Sequence, residues 1–331
     1  MGRWAVGRIW GIEMRRVLFV GLVALVSALG VVACGGGTDD APAKLRFALI
    51  PKSLDIPVFD YARIGGERAA AALGVDVIYR GPDRPDALRQ KEILESFITQ
   101  KVDGIAISVL DASFLSSTID RAVEAGIPVV TWDSDAPESK RVAFYGVDDF
   151  ESGQIMGEET AKLLGGKGTV AFITSLGANN LQRRLDGARE VLAKYPGITV
   201  IETYDIKEDS VRTGEIIATG TNRYPDLGAW ISVGGWPVFS ANALAPVPPT
   251  TKFVSFDTVA SAIPLLREGK VQILLGQKYF GWGEEPIKIL HGIKNGNPPA
   301  TPIINSGVDV VTMANVDAYE ASWKALAGGG Q

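Results

Sequence analysis

From residue 44 onward the apolar positions of this chain fall into two alternating rhythms. Short continuous apolar runs, rich in β-branched residues, predict strands at 45–51, 75–79, 104–109 and 128–132. Between them the apolar positions recur every three or four residues, as at Val58, Ala62, Gly65, Ala69 and Leu73, and predict helices at 58–73, 88–98 and 115–125. After 141–147 the scheme starts again, with helices at 150–164, 181–195, 209–222 and 260–268 and strands at 169–174, 199–203, 229–233, 252–256 and 271–276. Strands that are apolar throughout and separated by helices are the pattern of a parallel sheet covered on both faces. Two such units in tandem predict an α/β protein with two Rossmann-like lobes facing each other. A helix at 284–294 and a strand at 308–312 are left over, so the chain is expected to cross between lobes more than once, through a multi-strand hinge.

Ligands of open parallel sheets bind just past the carboxyl ends of the strands, and polar residues concentrate there in this chain. The strand at 128–132 ends in Asp133-Ser134-Asp135. Lys52 and Asp55 follow the first strand, Ser108 and Asp111 the third, and Asn179 and Asn180 the strand at 169–174; Asp257 and Gln277 end two later strands. Facing lobes would bring these groups into one cleft with Phe59, Trp236 and Trp282 nearby. Carboxylates and amides bridge neighbouring hydroxyls through charge-assisted bonds of about 1.5–3 kcal/mol, and aromatic faces cover the apolar side of a sugar ring. The set therefore suits a small polyhydroxylated ligand. Trp132 points opposite to Asp133 along the strand and is read as core.

Composition adds an address. The chain has 331 residues, 46% of them apolar, enough for two medium domains with cores. Its net charge of −5 argues against nucleic acid or an anionic membrane surface as partner. Arg3, Arg8, Arg15 and Arg16 against Glu13 give residues 1–33 a net +3, so the remainder carries −8. Met14-Arg15-Arg16 followed by the apolar run 17–33 has the form of an export signal, and Met14 by itself would start one of ordinary length. The run falls short of the roughly 20 residues a spanning helix needs. It stops at Val31-Val32-Ala33-Cys34, which resembles the bacterial lipobox and so implies cleavage before Cys34 and lipidation of that residue. Cys34 is the only cysteine, so the body is expected to hold no disulfide and no thiolate metal site. Residues 34–43 read as a flexible tether.

The order and spacing of several pieces carry a family resemblance. These are Ala48-Leu49-Ile50-Pro51-Lys52, Gly81-Pro82, Gly126 through Asp133, Arg184-Leu185-Asp186-Gly187, Phe256-Asp257 and Gly276-Gln277. Together they resemble the type 1 periplasmic sugar-binding proteins, the ribose-binding family with its relatives for rhamnose and autoinducer-2, over nearly all of 44–325. The resemblance implies that Asp133 and Asp257 hydrogen-bond sugar hydroxyls, that Arg184 does so from a helix of the second lobe, that Gln277 stands at the hinge and that Phe59 covers the ring. Ser108 falls where many members carry an asparagine. Lys52, Asp55, Ser134, Asn180 and Trp236 complete the expected ligand-binding set. Gly234-Gly235-Trp236-Pro237 replaces the Asn-Asp of ribose-type members, which points away from ribose. Asn180 replaces an aspartate of the autoinducer-2 receptors, so a deoxy-hexose or a pentose is favoured.

The expectation is thus a signal peptide at 1–33, a tether at 34–43, a first lobe at 44–146 plus about 278–300 and a second at 147–277 plus about 301–326. It describes a monomeric, lipid-anchored solute-binding protein that faces the periplasm or cell exterior, traps a sugar by closure of its lobes and delivers it to an ABC transporter permease. It is not read as an enzyme and needs no cofactor or metal. No motif supports a Cys–His or Ser–His nucleophile, and 165–169 lacks the spacing of a phosphate loop. The alternatives are a binder of autoinducer-2-type signals, a chemoreceptor-coupled sensor and, as an enzyme, a glycosidase using Asp133 with Asp257.

Overall fold

The computed structural model of the protein describes residues 43–240 and 242–328. The export-like segment, Cys34 and the tether up to residue 42 lie outside the described residues. Among the described residues no helix is long and apolar enough to cross a membrane.

The first lobe begins with β1 (Arg46–Ile50), α1 (Val58–Leu73), β2 (Asp76–Tyr79), α2 (Ala87–Thr99), β3 (Gly104–Ile107), α3 (Ala112–Glu124), β4 (Val129–Trp132) and β5 (Ala143–Gly146). The second follows with α4 (Asp149–Leu163), β6 (Lys167–Thr174), α5 (Asn179–Leu192), β7 (Gly197–Asp205), α6 (Ser210–Arg223) and β8 (Ala229–Ser232). It continues through α7 (Trp236–Phe239), β9 (Lys252–Phe256), α8 (Ala262–Arg267) and β10 (Ile273–Gly276). The chain then returns to the first lobe with α9 (Gly281–Lys294) and β11 (Ile303–Asn305) and ends in the second with β12 (Asp309–Val311) and α10 (Val316–Gly328).

Each lobe holds a six-stranded sheet, β11-β5-β4-β3-β1-β2 in the first and β12-β10-β9-β8-β6-β7 in the second. All pairings are parallel except that of β12 with β10. The central strands are largely apolar because helices cover both faces, and every residue of β3, β4, β8 and β10 is buried. Aspartates start the helices by accepting backbone N–H groups that the helix leaves unpaired: Asp86 for α2, Asp111 for α3, Asp148 for α4 and Asp209 for α6. Asp111, expected among the cleft groups, is thus a cap.

The last crossing differs from expectation. Residues from about 301 on were assigned to the second lobe, but Ile303, Ile304 and Asn305 pair with Phe144, Tyr145 and Gly146 of β5. The chain therefore makes its last passage to the second lobe between β11 and β12. A three-residue strand with two of its three side chains exposed has no periodicity to read. The four-residue α7 and the terminal α10 also go beyond the predicted elements: Gly234-Gly235 and Pro237 read as loop, and α10 contributes few buried apolar side chains.

Candidate functional site

The carboxyl ends of both sheets meet at a small, partly open cavity of about 40 Å³. Its wall includes Lys52, Phe59, Asp133 and Trp282 from the first lobe and Asn180, Arg184, Glu208, Trp236 and Asp257 from the second, with Gln277 at the crossing.

The two aspartates reach it through the same local device. Asp133 ends β4 with φ of 58° and Asp257 ends β9 with φ of 74°, a left-handed conformation seldom adopted by non-glycine residues. At Asp133 the turn is closed by Ser134 N–H donating to the Trp132 carbonyl at 2.6 Å, a three-residue turn of the strained hand. Such a turn breaks the strand's alternation at its last residue. Trp132 stays in the core against Phe59 and Trp282, and Asp133 enters the cleft. Strain of this kind persists only where the surroundings over-determine it. For Asp133 those surroundings are Ser108, whose hydroxyl donates to Oδ2 at 2.7 Å, and Asn180, whose amide approaches Oδ1 at 3.5 Å. For Asp257 they are Tyr279, donating to Oδ1 at 2.9 Å, and the Gln277 amide at 3.1 Å.

Lys52 joins the lobes. Its ammonium donates to Asn180 Oδ1 at 3.2 Å and lies 3.8 Å from Asp133 Oδ2 and 3.7 Å from Glu208 Oε1. The loop carrying it is fixed by Gln90 of α2, whose amide donates to the carbonyls of Pro51 and Ser108 at 2.9 and 2.7 Å and accepts from Leu110 N–H. This buried glutamine ties the ends of β1 and β3 together.

Arg184 is buried from α5, its guanidinium 3.8 Å over the Phe256 ring. Nε donates to Asp149 Oδ1 at 2.8 Å, one terminal nitrogen to the Val233 carbonyl at 3.1 Å and the other to Gln277 Oε1 at 3.2 Å. Burial pushes Asp149 up from 3.8 to about 6, with Arg184 opposing the shift. Burial likewise raises Asp257 against the pull of Arg184, and Glu208 against the pull of Lys52. Three carboxylates and two cations line the cavity, and Asp149 adds a fourth carboxylate behind Arg184. The indole N–H groups of Trp236 and Trp282, both on the wall, have no hydrogen-bond partner among the described residues. The arrangement presents acceptors, donors and aromatic faces together, the chemistry of recognition by paired hydrogen bonds.

Of the expected set, Lys52, Phe59, Asp133, Asn180, Arg184, Trp236, Asp257 and Gln277 come together on the cavity wall. Ser108 stands behind Asp133 as its hydrogen-bond donor. Asp55 and Ser134 are absent from the wall: Asp55 is exposed, and Ser134, next in the turn, is buried away from it. Asn180 does not cap its helix, for the cap position is Ala178; it faces the cavity instead. Sequence reasoning missed Glu208, Asp149 and Gln90, while Trp282, expected near the cleft, stands on its wall. Glu208 follows the carboxyl end of β7 and would have been found by applying the strand-end rule to that strand as well. Among the described residues no group of His, Cys, Asp and Glu is placed to hold a metal ion.

Comparison with known proteins agrees with this geometry. A family model described as periplasmic binding protein domain matches residues 47–298. The D-ribose/D-allose-binding protein of Pseudomonas aeruginosa is 24% identical over 87% of this chain and 97% of its own. An ABC transporter solute-binding protein from Burkholderia graminis, solved in complex with D-arabinose, superposes with a TM-score of 0.80 at 33% identity, covering 84% of this chain and 98% of that one. AraP, an arabinose-binding protein of Geobacillus stearothermophilus, does so with a TM-score of 0.70 at 31% identity, over 83% and 99% of the two chains.

Proposed function

The chain belongs to the periplasmic binding protein family, and from that premise we propose that it captures a monosaccharide outside the cytoplasm by closing two lobes over it, for delivery to an ABC importer. The observation that carries the reading is that Asp133 and Arg184 stand on the wall of one cavity, each from a different lobe and each fixed by neighbours of its own. Carboxylate and guanidinium groups held in this way bind neighbouring hydroxyls through paired charge-assisted bonds, while Phe59, Trp236 and Trp282 supply the apolar faces a sugar ring stacks on. The similarity to ribose-, allose- and arabinose-binding proteins supports an aldose of five or six carbons.

In this reading Lys52, Phe59, Asp133, Asn180, Arg184, Trp236, Asp257 and Gln277 contact the sugar, and Ser108 and Asp149 orient two of them. The mechanism is capture and release, with no bond made or broken. The lipobox-like Val31-Val32-Ala33-Cys34 supports anchoring of the protein to a membrane through a lipid on Cys34. Ligand-stripped protein screened by thermal shift against neutral aldoses tests the function. At least one should raise the melting temperature and saturate with a single site, and a panel in which none does would sink the reading. For the anchor, Cys34→Ser should abolish palmitate labelling and free the protein from the membrane fraction.

A further inference from the structure

Of the three carboxylates on the cavity wall, Asp133 and Asp257 accept hydrogen bonds from neighbouring side chains, whereas Oε1 of Glu208, in a residue only 8% exposed, accepts none among the described residues. Its ion-pair contact is Lys52 Nζ at 3.7 Å, an ammonium that also donates to Asn180 and lies 3.8 Å from Asp133. A buried carboxylate oxygen without a donor is costly, and native proteins seldom keep one without a use.

The backbone shows how the group is held there. Lys207 and Glu208 both have φ of 54°, two consecutive left-handed residues that are not glycine. The turn is pinned by Asp205, whose Oδ1 accepts from Lys207 N–H at 3.0 Å and Leu176 N–H at 3.2 Å, by buried Ile206 and by Asp209 at the start of α6. Without this turn the side chain at 208 would leave with the rest of the exposed loop. Glu208 also borders a second recess of about 300 Å³, open to solvent and lined by Pro85 and Leu110 of the first lobe and Leu176 of the second. It therefore stands between the inner cavity and the mouth of the cleft.

We propose that Glu208 is a specificity-determining residue at the mouth end of the cavity: its Oε1 accepts a hydroxyl of the captured sugar, so that a neutral sugar with a free hydroxyl there is taken and its deoxy or anionic counterpart is refused. The inference rests on the sugar-binding reading above and adds a selection rule to it. A site built to hydrogen-bond a hydroxyl discriminates strongly against the analogue lacking it, because the acceptor is then left buried and unpaired. The surplus of carboxylates over cations on the wall repels uronic acids and sugar phosphates in the same step.

The test is isothermal titration of the wild type, Glu208→Ala, Glu208→Gln and Asp133→Ala against D-arabinose, D-ribose, D-allose and D-galactose, then against each monodeoxy derivative and the uronic acid of the best binder. Glu208→Ala should weaken the best sugar roughly 30-fold or more yet bind one particular monodeoxy derivative within threefold of the wild type, so that the preference for that one hydroxyl collapses. Glu208→Gln should admit the uronic acid, and Asp133→Ala should weaken sugar and deoxy derivative alike. Unchanged preference at every hydroxyl in Glu208→Ala overturns the proposal. A readout without ligand accompanies it: Glu208→Gln should raise the melting temperature of ligand-stripped protein, whereas a lowered one would mean that Glu208 is kept for its ion pair with Lys52 and overturns the proposal too. If the wild type binds none of these sugars, the sugar reading fails, and the sign of that temperature shift still decides whether Glu208 is held for a ligand.

Discussion

Asp133 and Arg184 are bound into their own lobes so tightly that neither needs rearrangement to meet a ligand, which is the condition for paired hydrogen bonds to count in full. Truncating either leaves ligand hydroxyls or neighbouring donors unpaired, so Asp133→Ala and Arg184→Ala should each weaken binding by about 2–4 kcal/mol, roughly 30- to 1000-fold, in isothermal titration. Asp149 acts through Arg184 and carries a pH signature. Burial raises its pKa from 3.8 to about 6, so the folded state binds this proton more tightly than the unfolded state does. Its contribution to stability is full below the lower value and is lost as pH rises through the upper one, by up to ~3 kcal/mol. Asp149→Asn should flatten the fall in melting temperature across that window; Glu208 and Asp257, raised in the same direction, keep part of the slope. An unchanged slope would refute the assignment. The aspartates were legible because polar residues just past apolar strands have few structural reasons to be there; Arg184, inside α5, was legible only through the family resemblance. Asp149 was not, since its sequence position reads as a helix start, and its role depends on a guanidinium 35 residues away.

Helix packing sets the position of the second lobe's cationic group. α4 and α5 approach so closely that a Cβ on Gly153 would overlap the Arg184 carbonyl, and one on Gly187 the Phe150 carbonyl. Backbone, not a flexible side chain, occupies the space, so the helices must part to accept a methyl group. Gly153→Ala should therefore lower the melting temperature by several degrees and weaken ligand binding through displacement of Arg184. Gly214, inside α6, has nothing within 4 Å of the place its Cβ would take. There alanine only removes freedom from the unfolded chain, and Gly214→Ala should stabilise by up to about 1 kcal/mol in urea titration with binding unchanged. Reversal of the two signs would show that the helix contact does not control the site. At this scale the sequence was readable wherever burial imposes a period: the predicted 58–73 and 252–256 coincide with α1 and β9. It was silent for α7, β11 and α10, which are short or half-exposed and held by partners far away in the chain.

The whole molecule is a pair of lobes joined where β5 passes to α4, β10 to α9 and β11 to β12. Repeated crossings were legible from the leftover helix and strand; the place of the last one was not, because edge pairing of a three-residue strand leaves no trace in composition. Beside these crossings Tyr61 of α1 packs on Trp323 of α10 at 4.6 Å between ring centroids and on Phe280 at 5.3 Å, so aromatic contacts bridge the lobes next to the hinge. At the opposite side of the cleft the lobes meet through Lys52 and Asn180. The two contacts differ in what they cost. The aromatic one is favourable in any state, whereas the polar one confines an excess of carboxylates and two unpartnered indole N–H groups in about 40 Å³, far below the roughly 300–1,000 Å³ of ordinary ligand pockets. Water would satisfy those groups if the lobes parted, and a sugar would satisfy them if the lobes closed on it. Rotation about the crossings, with the aromatic cluster as pivot, is therefore expected to leave ligand-stripped protein open and ligand-saturated protein closed. Small-angle scattering should show a smaller radius of gyration with a saturating sugar, and Trp323→Ala should lessen the difference by loosening the pivot. Superimposable scattering curves with and without that sugar would refute closure, and with it the argument that unpaired groups in the cleft drive the lobes apart.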